Sequence, residues 1–177
     1  MRFDGKNMVI TGGATGFGRT TALLAAQRGA TVAVCDINME ACREWISQYP
    51  ELPIKAYQMD VSKTAEVEQV LGQIIQEYGQ IHILVNNAGI ASKQPLEQLT
   101  EEEWDRVMAV DLKSVYNTCR ILLPHMKQFG YGKIVNMSSA AGKIGGGFLS
   151  TCAYAAAKAG VLGLTKCLAR EGGPYGI

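Results

Sequence analysis

Short runs of β-branched and apolar residues alternate along this chain with longer segments of helical period, and that alternation constrains the fold more than any other feature. Met8–Thr11, Thr31–Asp36, Ile54–Met59, Ile81–Asn86 and Lys133–Met137 read as strands, and Arg19–Arg28, Met39–Tyr49, Thr64–Tyr78 and Glu101–Lys127 as helices. Strands separated by helical crossovers pair in parallel, and right-handed crossovers place helices on both faces of an open sheet. The expected class is therefore α/β, a doubly wound parallel sheet. A chain of 177 residues, 47% of them hydrophobic, is long enough for one such domain over residues 1–177. In the fourth helical segment Trp104, Met108, Leu112, Val115, Cys119, Leu122 and Met126 form one apolar stripe, expected to pack on the sheet rather than to serve as a subunit contact.

Lys and Arg number 17 against 16 Asp and Glu, so no bulk field gathers nucleic acid or an anionic membrane, and binding has to come from a local site. No apolar run is long enough to span a bilayer. The five cysteines include no C-x-x-C pair and are expected to be free thiols in a reducing, cytoplasmic setting. His82 and His125 have no partners at metal-ligand spacing, so no metal is expected.

Directly after the first strand comes Thr11-Gly12-Gly13-Ala14-Thr15-Gly16-Phe17-Gly18, leading into a helical run. Glycines there let the main chain approach a pyrophosphate at the positive end of the following helix. A glycine-rich turn alone is weak, because any tight strand-to-helix connection can use it. Its context is Asp36, at the end of the second strand, where a carboxylate accepts hydrogen bonds from an adenosine ribose and repels a 2′-phosphate. The expected cofactor is therefore NAD rather than NADP, with Ile37 beside Asp36 in the same site. Arg19 is the dissenting residue, since a guanidinium beside the turn could pair with a 2′-phosphate; we read it as a solvated first-turn arginine. Asp60 and Val61 end the third strand and suit either an adenine ring or, for Asp60, a helix cap. Asn86-Asn87-Ala88-Gly89 places small residues and amides where backbone passes close to a cofactor, and equally suits a turn fixed by asparagine hydrogen bonds.

Tyr154 and Lys158 stand four residues apart around three alanines, so a helix puts them on one face, a turn apart. A nearby ammonium favours the phenolate and makes a tyrosine a competent proton acceptor. Such a pair also occurs by chance, and a third member is needed. Ser139 follows the fifth strand at the carboxyl end of the sheet, where a hydroxyl can bind a substrate oxygen or hold a turn.

The turn at Thr11–Gly18, Asn86–Gly89, Ser139 and Tyr154-x-x-x-Lys158, taken in order, resemble the short-chain dehydrogenase/reductase family over essentially the whole chain. The flanking Lys158-Ala159-Gly160 and Leu168-Ala169-Arg170-Glu171 look most like its 3-oxoacyl-carrier-protein reductase branch, which commonly takes NADPH, a preference that Asp36 opposes. The resemblance implies a Rossmann-like fold and hydride transfer between the nicotinamide and a small-molecule secondary alcohol or ketone. A 3-oxoacyl thioester, polyol, sugar or steroid would fit that class. It implies Tyr154 as general acid or base, Lys158 lowering its pKa and holding the nicotinamide ribose, and Ser139 orienting the substrate oxygen. It also implies cofactor contacts at Gly12, Ala14, Thr15, Gly16, Phe17, Gly18, Asp36, Ile37, Asp60, Val61, Asn87, Ala88 and Gly89, and a homo-oligomer, dimer or tetramer.

Three departures qualify the resemblance. Asp111 stands where the family usually has an asparagine of its proton path; an anion there is expected to weaken the pull of Lys158 on the phenol and to reduce turnover without abolishing it. The stretch from Ser139 to Tyr154 is longer than usual, with the surplus expected in a loop over Gly145–Ser150. The chain stops at Ile177, where the family enters its next strand, so the last strands are expected to be absent and the chain to be a fragment. The alternative function is a catalytically idle dinucleotide-binding module or an inactive fragment.

Overall fold

A computed structural model of the chain describes residues 2–147 and 151–177. Five strands, β1 (Asn7–Thr11), β2 (Thr31–Asp36), β3 (Ile54–Gln58), β4 (Ile83–Asn86) and β5 (Lys133–Asn136), form one all-parallel sheet in the order β3-β2-β1-β4-β5. Strands covered on both faces need apolar residues at consecutive positions rather than alternate ones. Met8, Val9 and Ile10 of β1 are all buried, as are Val32 to Cys35 of β2 and Ile83 to Val85 of β4.

The two faces feed two separate cores, because neighbouring side chains on a strand point in opposite directions. Val9, Ala33, Cys35 and Leu84 pack with helices α3 (Thr64–Tyr78), α5 (Ser114–Phe129) and α7 (Cys152–Gly172) through Leu71, Ile74, Leu122, Met126 and Val161. Met8, Ile10, Val32, Val34, Ile83 and Val85 pack with α1 (Gly16–Gln27) and α2 (Met39–Ile46) through Ala22, Ala25, Ala26, Cys42 and Trp45. Alanines on the inner side of α1 let it lie close to the strands. The expected doubly wound α/β fold is therefore present, with β3 and β5 as its edges.

The segment expected as one helix from Glu101 to Lys127 is a composite. α4 (Glu101–Met108) passes into a π-helical turn, Ala109–Lys113, and only then into α5. A π turn widens the helix locally, often at functional sites, and a 3.6-residue period read along the sequence does not register it. Here it turns Asp111 fully inward. The stripe accordingly divides: Val115, Cys119, Leu122 and Met126 belong to the sheet core, while Trp104 at its start is exposed. A short helix, α6 (Ala141–Ile144), precedes α7, and Gly142 presses on the α7 backbone at Lys158 and Ala159, where a Cβ would lie 2.7 Å from main-chain atoms. Of the loop expected over Gly145–Ser150, residues 148–150 lie outside the described residues.

Both histidines accept hydrogen bonds from backbone near the strand entrances, Asn7 N–H to His82 Nδ1 at 3.0 Å and Ile81 N–H to His125 Nε2 at 3.1 Å. A ring nitrogen that accepts cannot carry a proton. Burial lowers both pKa values, helped at His82 by Lys6 and opposed at His125 by the Gly79 backbone. Because the folded values lie below the unfolded one near 6.5, this stability is fully present above about pH 6.5 and is lost as pH falls through the folded values. Thermal melts should show a falling Tm from about pH 7 to pH 5.5, and a chain carrying His82→Asn and His125→Asn should lose most of that slope; an unchanged slope contradicts this assignment.

Candidate active site

The strand order reverses between β1 and β4, and the crevice beyond their carboxyl ends is where open parallel sheets place ligands. Two adjoining clefts open there, both touching Gly89 and Ile90. One, of about 340 Å³, is lined by Gly12, Asp36, Ile37, Asp60, Val61 and Ala88; the other, of about 330 Å³, by Phe17, Asn87, Ser139, Tyr154 and Lys158. Residues read from distant parts of the sequence thus converge on two clefts that meet at Gly89 and Ile90.

The glycine turn is held by β4. Thr11 Oγ1 accepts the Asn87 and Ala88 N–H groups at 3.1 Å, and Asn87 Nδ2 donates to Thr11 O and Gly12 O at 3.1 and 2.9 Å. Of the two readings of this segment, the structural one therefore applies to Asn87 directly. Gly12 has φ +67°, and a Cβ on it would lie 2.8 Å from Ala88 Cα. A Cβ on Gly18 would collide with the Gly12 carbonyl and sit 2.6 Å from Asn87 Nδ2. Thr15, the residue before α1, makes no side-chain cap, so the first N–H groups of the helix remain available to an anion. These features fit a pyrophosphate-bearing dinucleotide. Phe17 and Ile37 are largely exposed at the rim, at 79% and 67%.

Asp36 is fixed from both sides, its carboxylate accepting from Ala14 N–H and Asn38 N–H at 2.9 Å each. Each oxygen keeps a lone pair for a ribose hydroxyl. Asp60 secures its own loop, accepting from Ser62 N–H at 3.0 Å and Ser62 O–H at 2.6 Å, with Lys63 3.5 Å away, while still lining the cleft. Arg19 differs from the solvated residue expected: it is half-buried over the Trp45 ring, 5.7 Å from its centroid.

α7 carries Tyr154 and Lys158. Lys158 is almost fully buried, its ammonium donating to Met137 O at 3.0 Å and lying 3.1 Å from Asp111 Oδ1 and 5.5 Å from the centre of the Tyr154 ring. Asp111 Oδ2 accepts the Ile90 N–H at 3.1 Å. Oδ1 lacks a partner of hydrogen-bonding geometry, so its contact with Lys158 is an ion pair in character. Burial pushes the Asp111 carboxyl above the usual carboxylate range, with Lys158 pulling it back. Ser139 Oγ accepts from Ala141 N–H at 3.2 Å, the turn-holding reading, and faces the cleft as well. That bond leaves its proton free to donate.

Two structural roles were not read from sequence. Ser138, beside the chosen serine, donates to Lys158 O at 2.8 Å and seats α7. Asn86 and Asn136, paired across β4 and β5, link Thr118 of α5 to Thr165 of α7: Thr118 O–H to Asn86 at 2.7 Å, Asn86 to Asn136 at 2.8 Å, Asn136 to Thr165 at 2.9 Å. An asparagine closing each of two neighbouring strands was the available signal, since an amide withdrawn from solvent needs partners.

The family model of the short chain dehydrogenases matches residues 6–177. The chain belongs to this family. It is an oxidoreductase of the kind that acts on CH–OH and keto groups. It is 42% identical over 173 residues to a 3-oxoacyl-[acyl-carrier-protein] reductase of Thermotoga maritima, covering 97% of the chain and 70% of that protein. A D-threitol dehydrogenase of Mycolicibacterium smegmatis is 35% identical, over 99% of the chain and 68% of its own length. Among solved structures, NAD+-bound xylitol dehydrogenase superposes with a TM-score of 0.93 at 28% identity, covering all of the chain and 68% of that structure. The chain thus spans about 70% of the length of these relatives.

Gly18→Ala should cost about 1–3 kcal/mol in stability, by overpacking against backbone, and weaken dinucleotide binding at least tenfold. The control is Gly163→Ala on exposed, open α7 surface, which should instead stabilise by about 0.5–1 kcal/mol. Chemical denaturation and coenzyme titration read both; equal effects from the two substitutions contradict the packing argument.

Proposed function

We propose that the chain is an NAD-dependent oxidoreductase of a secondary alcohol or ketone, with Ser139, Tyr154 and Lys158 as catalytic residues on one dinucleotide-binding unit spanning 1–177. The observation that carries this reading is the pair of adjoining clefts, one lined by Asp36 and the other by Ser139, Tyr154 and Lys158, that share Gly89 and Ile90. Gly12, Ala14, Thr15, Gly16, Phe17 and Gly18 would hold the pyrophosphate. Asp36 and Ile37 would take the adenosine ribose, Asp60, Val61, Asn87, Ala88 and Gly89 the adenine side and the groove floor, and Tyr154 and Lys158 the nicotinamide ribose. The nicotinamide supplies a hydride donor or acceptor when bound.

The side chains supply the proton and the orientation. Ser139 donates its free hydroxyl proton to the substrate oxygen. Tyr154 gives that oxygen a proton in reduction and takes it in oxidation. Lys158 donates one ammonium hydrogen to Met137 O and is ion-paired with Asp111, which leaves an ammonium hydrogen for a ribose hydroxyl. The named relatives, an acyl-carrier-protein reductase and two polyol dehydrogenases, support a 3-oxoacyl thioester or polyol ahead of a sugar or steroid. Balanced charge and free thiols support a cytoplasmic setting, and the groove between α5 and α7 around Tyr116, Leu123 and Leu164 supports self-association.

NADH formation from a panel of secondary alcohols tests the reading. Tyr154→Phe should lower kcat by about 10²-fold or more; undiminished turnover overturns the assignment. Asp36→Ala should lower the NAD-to-NADP affinity ratio about tenfold or more, since the carboxylate beside a 2′-phosphate costs about 1–4 kcal/mol. An unchanged ratio removes Asp36 as the selector.

A further inference from the structure

The buried ion pair beneath Tyr154 has a consequence for the direction of reaction. We propose that Asp111, by pairing with the Lys158 ammonium, keeps Tyr154 a proton donor near neutrality, so that the site favours carbonyl reduction and reaches full alcohol oxidation only at alkaline pH. This deepens the function proposed above and rests on it.

An unpaired ammonium 5.5 Å from an aromatic ring acts on the phenol as a full positive charge and draws it toward phenolate. With a carboxylate oxygen 3.1 Å from that nitrogen, the phenol faces an ion pair rather than a lone cation, and the attraction is reduced. The pair has no room to separate. Asp111 is fully buried on the π turn and anchored by Ile90 N–H, and a Cβ on Gly89 would lie 2.7 Å from Asp111 Oδ1 and 3.3 Å from Lys158 Nζ. Among the described residues, the charges acting on Asp111 are Lys158 from α7 and, more weakly, Arg106 from α4, whose guanidinium is already engaged by Glu103 at 2.8 Å. Ser138 and Ser139 after β5 and the Gly89–Ile90 backbone are uncharged, and Lys143 of α6 is exposed. Burial favours the neutral carboxyl, and Lys158 favours the ionised one.

In reduction the carbonyl carbon gains a hydride from the reduced dinucleotide and its oxygen gains the Tyr154 proton. The products are the alcohol, the oxidised dinucleotide and a phenolate that is reprotonated from water. A phenol held protonated suits this direction. Oxidation runs the same balance backwards and needs the phenolate first.

The test is an ultraviolet difference titration of phenolate in the intact chain and in Asp111→Asn, each referenced to the same chain carrying Tyr154→Phe, which subtracts the other tyrosines. Asparagine preserves the shape and removes the charge. The Tyr154 midpoint should fall by about one unit in Asp111→Asn, corresponding to about tenfold more phenolate at a given pH below it. In turnover assays, alcohol oxidation near pH 7 should rise several-fold while the decline of ketone reduction moves to lower pH. A midpoint that stays or rises overturns the proposal. A cooperative melt and an unaltered far-ultraviolet circular dichroism spectrum certify the fold of the variant, whose melting temperature is expected to fall because the pair is broken, and Asp111→Ser takes its place if Asp111→Asn does not fold. The phenol titration needs neither substrate nor coenzyme. A shifted midpoint in a chain that turns over no alcohol or ketone therefore upholds the coupling and removes the functional reading.

Discussion

One buried ammonium holds the site together. Lys158 of α7 reaches the carbonyl of Met137 after β5 and the carboxylate of Asp111 on the π turn, joining three segments far apart in sequence. A cation taken out of water is costly unless it is paired and hydrogen-bonded, and removing one partner of such a pair costs about 3–5 kcal/mol. Both requirements are met only when α7 sits where it does. Ser138 O–H to Lys158 O, Gly142 against the Lys158–Ala159 backbone and Leu112 against Gly160 close the same seat from other directions. Tyr154, one turn earlier on α7, thereby lines the same cleft as Ser139.

The groove depends equally on the meeting of the first and fourth strand ends. Asn87 donates from its backbone and its side chain to Thr11 and Gly12, so that the glycine turn and the Asn87–Gly89 backbone lie nearly in contact, which only glycine at positions 12 and 18 permits. Two aspartates then work in opposite environments. Asp36 lines an open cleft, fixed by two backbone N–H groups, whereas Asp111 is fully buried and ion-paired with Lys158. Residue type alone does not separate those roles; burial and partners do.

Much of this was legible in the sequence because its signals are local or strictly periodic. Strands buried on both faces leave continuous apolar runs, so the alternation gave the doubly wound sheet, and the glycine turn, Asp36, Ser139 and the Tyr154–Lys158 spacing each marked a place in the groove. The π turn was hidden because one extra residue scarcely disturbs an apolar stripe, and the fourth helical segment therefore looked continuous. Asp111 was noticed as an unusual residue, but its burial and its ion pair are properties of the folded chain. The approach of Arg19 to the Trp45 ring was not legible because Trp45 lies on a different helix. The Thr118–Asn86–Asn136–Thr165 chain is likewise invisible until the register of β4 against β5 is known.

The most direct measurement of the central claim is a crystal structure of this chain grown with NADH. The account predicts the adenosine ribose hydroxyls within hydrogen-bonding distance of the Asp36 carboxylate, the pyrophosphate over Gly12–Gly18, and the nicotinamide against Tyr154 with its ribose on Lys158. A dinucleotide bound with its nicotinamide away from Tyr154, or crystals that hold none at saturating concentration, would contradict it.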